Sequence, residues 1–147
     1  MKEQNTGESE MGEIRVQVRL TNAVDEALMC DGRLAPERVR FYDADALVDT
    51  GAVHTVIPSE VMQRLGTHIR GQRVAEYADG RKEAADITGP LIVDILGRDT
   101  MEDAMVLGDE VLIGQTVLEK LDLWADSAGR RLVPNPAHPD QPVTKVK

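Results

Sequence analysis

Apolar and polar side chains alternate strictly from Ile14 to Leu20, which predicts a strand with one face in a core and the other in water. Arg38 to Val48 turns apolar toward its end and runs into a tight polar turn, beyond which the chain is apolar again. Pro58, Ser59 and Glu60 open a short helix that carries Val61 and Leu65 on one face and stops at Gly66. Gln72 to Tyr77 and Arg81 to Ile87 flank Asp79-Gly80, a hairpin signal. Leu91 to Leu96 and Ala104 to Leu107 predict two further strands, and Arg131 to Val133 a last short one. Gln115 to Leu123 is helical in pattern, with Leu118 and Leu121 facing inward. Thr21 to Pro36 reads as a hairpin or a long loop. The stretch from Pro134 to Pro142 is proline-rich and cannot join a sheet interior. The expected fold is mostly β, with one or two short helices. Aromatic residues make up 3% of the chain, so aliphatic side chains must fill its core.

A chain of 147 residues can bury one core of its own. The pattern places a single domain at 13–134, preceded by a polar segment at 1–12 expected to be mobile and followed by a proline-rich tail at 135–147. The net charge of −9 and pI near 4.8 argue against a nucleic-acid partner, which needs a basic face. Cys30 is the only cysteine and cannot form an intramolecular disulfide. No apolar run approaches the ~20 residues of a membrane helix, and Met1 to Gly12 lacks the pattern of a signal peptide. A soluble, cytoplasmic protein without a membrane partner is expected. One Cys and three His give no credible zinc site.

The candidate chemistry lies in the turn after Val48. Ala46-Leu47-Val48 delivers Asp49 onto Thr50-Gly51, and Ala52 and Val53 lead into the next apolar run. A carboxylate placed so is held at the edge of a core instead of out in solvent. Hydrolysis without a covalent intermediate needs a carboxylate to activate water and a proton donor for the group under attack. Two carboxyls about 3 Å apart do both, because two like charges that close cannot both ionise. A plainer reading of Asp49 is a turn aspartate that caps its own backbone. Downstream, Val111-Leu112-Ile113-Gly114 is an apolar strand that ends in glycine before the helix from Gln115.

In Leu47 to Ala52, the turn at Ala78 to Arg81, Ile113-Gly114 with its helix, and Arg131 to Pro134, the chain resembles the retropepsin-like (retroviral-type) aspartic peptidases, and most closely their small soluble bacterial members. The order and spacing of all four elements fit, over about Ile14 to Pro134. The resemblance implies a closed or partly closed β-barrel of the acid-protease type. It implies Asp49 as the catalytic residue and Thr50, Gly51 and Ala52 as its loop. Tyr77, Ala78, Asp79 and Gly80 would form the flap over the substrate, with Val53 and Ile113 beside it. It implies no metal and no organic cofactor. The sequence holds one Asp-Thr-Gly, and Asp126-Ser127-Ala128-Gly129 has an inserted Ala, so the second carboxyl must come from a second copy of the chain. The expected function is an aspartic endopeptidase that acts as a homodimer on peptide or protein substrates.

Some positions depart from the family. The flap tip carries Asp79 and Arg81 where viral flaps are rich in glycine and isoleucine. Val53, His54 and Gln115 stand where viral enzymes place acidic residues and an arginine, so substrate grip and dimer support must differ. His54 reads as a surface histidine or as a pH-sensitive substrate contact. The alternative function, from another class, is a catalytically weak or inactive module of the same fold that binds peptides or dimerises.

Overall fold

The computed structural model describes residues 13–147, and the segment 1–12 lies outside the described residues. Strand β1 (Ile14–Asn22) alternates as its pattern requires: Ile14, Val18 and Leu20 are buried while Arg15, Gln17 and Arg19 are exposed. It pairs antiparallel along one edge with β2 (Phe41–Val48), and its last residues pair along the other edge with β5 (Lys82–Ile95). That second pairing closes a ring. From β2 the ring runs in parallel to β7 (Leu112–Ile113), then to β3 (Thr55–Ile57), in parallel to β6 (Arg98–Val106), and back through β5 to β1. The protein is therefore a closed six-stranded barrel, with β4 (His68–Glu76) hung on the free side of β5 as the seventh strand of the sheet.

The core is built almost wholly of aliphatic side chains, as the shortage of aromatics requires. Leu20, Ile57, Leu91, Val93, Ile95 and Ile113 have no exposed surface, and Phe41 and Trp124 stand outside on the surface. Two helices close the barrel. α2 (Ser59–Leu65) buries Val61 and Leu65, and α3 (Gln115–Leu121) buries Val117, Leu118 and Leu121. Gly66 ends α2 in the left-handed conformation at φ 68°, as its position in the sequence predicts. A separate hairpin of β8 (Leu123–Asp126) and β9 (Arg131–Pro134) follows α3, and Gly129 N–H donates to the Asp126 carboxylate in its turn.

Two local expectations are corrected. Thr21 to Pro36 is neither a hairpin nor a loop: Ala23–Cys30 is a helix, α1, so the chain has three short α-helices among its described residues. Asn22 caps it by accepting from the Asp25 N–H at 3.0 Å, and its amide donates to the Leu65 carbonyl at 2.8 Å. Asp25 is buried and receives three hydrogen bonds from the backbone and guanidinium of Arg40, so α1 is fixed to the entry of β2. The second correction concerns Arg81 to Ile87 and Leu91 to Leu96. These are one strand of 14 residues that continues through Gly89-Pro90, with the register against β6 shifting between Thr88 and Leu91. The shift accommodates the missing N–H of Pro90 without ending the strand.

Pro134 ends β9, and from Asn135 onward the proline-rich segment lies outside both sheets and is tied back to the end of α3. Asp122 accepts from the Asn135 amide at 3.0 Å, from His138 Nδ1 at 2.6 Å and from the Val143 N–H at 3.0 Å. The Asn135 amide, with the other two donors, holds the Asp122 carboxyl below its ordinary value. Among the described residues no helix is long and apolar enough to cross a membrane.

Candidate active site

The Asp49 turn is built by three neighbouring backbones. β2 and β7 run in parallel with Val48 opposite Ile113, and the Asp49 N–H donates to the Ile113 carbonyl at 2.9 Å. The Ala52 N–H donates back to the Asp49 carbonyl at 3.0 Å and closes the turn. Asp49 Oδ1 accepts from the Gly51 N–H at 3.0 Å, so the plain reading of a turn aspartate capping its own backbone describes one of its two oxygens. Oδ2 makes no hydrogen bond among the described residues. The side chain is half-buried, which leaves that oxygen open toward solvent.

Gly114 is the third component. A Cβ there would lie 2.7 Å from the His54 carbonyl oxygen and 2.8 Å from those of Ala52 and Val53. Only glycine lets the chain before α3 pass this close under the loop. The loop in turn supplies what the helix start lacks. No side chain caps α3, and the Ala52 and Val53 carbonyls accept from the Gln115 N–H at 2.7 Å and the Thr116 N–H at 3.3 Å.

Above the turn lies a cleft of about 680 Å³. Its floor is aliphatic: Val56, Met105 and Leu112 belong to a second small cluster completed below by Ala85 and Ile87. One wall is the end of β4 and the turn after it, from Arg73 to Ala78, and the opposite rim is the loop from Leu107 to Glu110. The hairpin is braced within itself. Tyr77 donates its hydroxyl to Glu83 Oε1 at 2.6 Å, and that carboxylate raises the phenol's pKa by disfavouring phenolate. The Arg81 guanidinium lies 4.3 Å from the centre of the Tyr77 ring, and the Arg81 N–H donates to Asp79 at 2.9 Å. Across the cleft, Arg73 approaches His54 Nε2 at 3.5 Å.

With this geometry in view, the chain compares as follows with known proteins. Residues 40–120, more than half of the chain, match the family described as "gag-polyprotein putative aspartyl protease". The chain belongs to this retroviral-type aspartyl protease family. The match begins just before β2 and ends within α3, so it spans the Asp49 turn, the hairpin and Gly114. No curated protein matches the chain in sequence. Among solved structures it is similar to the simian foamy virus (mac) protease, determined in solution, at 13% identity and a TM-score of 0.45, over 71% of this chain and 90% of that one.

Within this family fold the structure brings Asp49, Gly51, Ala52, Val53, Tyr77 and Ala78 together around one cleft. The other expected site residues stand elsewhere. Thr50 is exposed beside the cleft, and Asp79 and Gly80 form the hairpin tip beyond it. Ile113 is corrected: its side chain is wholly buried in the barrel core and does not line the cleft. What Ile113 offers the site is its backbone carbonyl. Arg73, Glu76, Met105 and the 107–110 rim were not expected at the site. The alternation of β4 places Arg73 among candidates once the hairpin is known to cover the turn. Nothing local marks Asp109 or Met105, which arrive through the pairing of β6 with β3.

Proposed function

We propose that the protein is an aspartic endopeptidase in which Asp49 of two chains meets on a two-fold axis. The observation that carries this reading is the state of Asp49 itself. Its main chain is fixed by β7, one carboxylate oxygen is fixed by Gly51, and the other is open at the base of a cleft large enough for an extended peptide. One carboxyl cannot act as base and acid at once, and the sequence carries a single Asp-Thr-Gly. A symmetry mate supplies the other. One carboxylate takes a proton from water as the oxygen attacks the peptide carbonyl, and the protonated carboxyl hydrogen-bonds to the carbonyl oxygen. The proton first taken from water then passes to the leaving nitrogen as the C–N bond breaks. In this reading the hydroxyl of the exposed Thr50 braces the partner's turn, and the turn from Tyr77 to Arg81 acts as the flap.

Asp49→Asn tests both the residue and the symmetry. The amide keeps shape but is no base, so cleavage of a mixed peptide library, read by mass spectrometry, should fall by a factor of about 10³ or more. Mixing equal amounts of wild-type and mutant chains and allowing them to exchange should leave about a quarter of the activity if two Asp49 residues act together, and about half if each chain acts alone. A linear response would remove the dyad. Cleavage by Asp49→Asn at the wild-type rate would remove the site.

A further inference from the structure

Charge is unevenly balanced around the cleft. Asp49, Glu76, Asp109 and Glu110 line it, against the single guanidinium of Arg73. Glu110 is already compensated from outside by Arg15 at 3.0 Å. Glu76, at the end of β4 on the flap side, and Asp109, in the loop between β6 and β7, have no ion-pair partner among the described residues. Arg73 does not offset them directly, because its guanidinium is turned toward His54. Uncompensated carboxylates therefore stand on two sides of an aliphatic floor made by Val56, Met105 and Leu112.

We propose that this cleft selects cationic peptides, with Lys or Arg flanking an aliphatic residue that sits on the floor. The proposal rests on the reading of the cleft as a peptide-binding site, and adds the class of peptide. A second copy on the two-fold axis repeats the same carboxylates on the other half of the cleft, so the preference holds on both sides of the aliphatic residue. Each exposed carboxylate–ammonium contact contributes up to about fivefold in affinity, and the low-dielectric aliphatic floor focuses the field further.

The test uses the full-length Asp49→Asn protein, which binds without turnover, and fluorescein-labelled peptides of one length with a central Leu flanked by Lys, Ser or Glu. Anisotropy at low salt should show the Lys peptide bound about tenfold more tightly than the Glu peptide. The preference should shrink toward unity at high salt, where the Debye length is about 3 Å. Adding E76Q and D109N should reduce the Lys-over-Glu ratio at least about threefold. Adding E37Q and E60Q, which removes two exposed charges away from the cleft, should leave the ratio where it was. Equal binding of the Lys and Glu peptides, or an equal loss of the ratio in the E37Q/E60Q protein, overturns the selection while leaving peptide binding intact. Failure of all three peptides to bind, together with no Asp49-dependent cleavage of a library by the wild-type protein, overturns the peptide-site reading itself.

Discussion

Replacing Gly114 by alanine separates two opposing effects and predicts the sign of the outcome. The backbone of Gly114 has φ −97° and ψ −178°, extended values open to any residue. In empty space the substitution would therefore stabilise the protein by about 0.4–1 kcal/mol, through a less flexible unfolded chain. The space is not empty. The added methyl would meet three carbonyl oxygens at 2.7–2.8 Å, all of them backbone atoms of the 52–54 loop. To reach ordinary contact the loop and the start of α3 must part by roughly 0.7 Å, a strain of about 1–3 kcal/mol. Parting lengthens the bonds from Gln115 N–H to the Ala52 carbonyl and from Thr116 N–H to the Val53 carbonyl, at about 1 kcal/mol each. The net expectation is a loss of about 2–4 kcal/mol. Urea unfolding followed by circular dichroism, at one fixed protein concentration, should show a midpoint lower by about 1 M or more. Cleavage activity should fall with it, because the displaced loop continues directly from the Asp49 turn that Ala52 N–H closes. Gly51→Ala should cost less, since its Cβ would meet only Asp49 Oδ1, at 3.3 Å. A Gly114→Ala protein as stable as the wild type, or more so, would refute the argument that the two segments are locked by contact.

Asn22→Ala removes both the cap of α1 and the bond to the Leu65 carbonyl from a buried site, and should cost about 1–3 kcal/mol in the same urea assay; a change below about 0.5 kcal/mol would deny the cap a structural role. The bidentate contact with Arg40 lowers the Asp25 carboxyl below its ordinary value of 3.8. Its stabilisation is thus complete above that value and is lost as pH falls through the lower value of the folded protein. Asp25→Asn should therefore be less stable than wild type by about 1–3 kcal/mol at neutral pH, with the gap closing in strong acid; a gap that widens on acidification would contradict the assignment. Tyr77→Phe removes the hydroxyl that holds Glu83 and should raise amide exchange in the 73–85 hairpin while sparing the barrel. Unchanged exchange there would show that the brace is not needed.

The barrel was legible because its strands alternate and its core is aliphatic. Ile14 to Leu20 can bury only one face, and the Asp49 turn stands between two apolar runs that must both enter the core. α1 was not legible in the same way. Only Ala23 and Asp25 of its eight residues are buried, and its larger apolar side chains Val24 and Leu28 stay on the surface, so no core contact announces the helix. Its fixed points are polar ones, Asn22 and Asp25, whose partners Leu65 and Arg40 lie on other elements. β5 misled because Gly89-Pro90 is a common stop signal, and here a register shift absorbs it. At the site, the turn could be read locally because the two bonds that close it, from Ala52 N–H to the Asp49 carbonyl and from Gly51 N–H to the Asp49 carboxylate, lie within four residues. The rest of the cleft depends on which strand lies over which, and that is decided by pairings between segments some fifty residues apart, such as Thr55 with Ala104.

Closing the barrel with β1 also determines where this protein is exposed to unwanted association. A ring of strands has no edges, so the seven-stranded sheet is left with β4 as its open side. An unpaired edge is a template for amyloid-like growth by any extended chain, including another copy of itself. β4 carries the usual protections: the exposed charges of Arg70, Arg73 and Glu76 within the strand, and a register shift between Ile69 and Gly71 that spoils a flat ladder. The strand that overhangs the cleft can therefore stay extended and solvent-facing, with its outer edge open, without nucleating fibres.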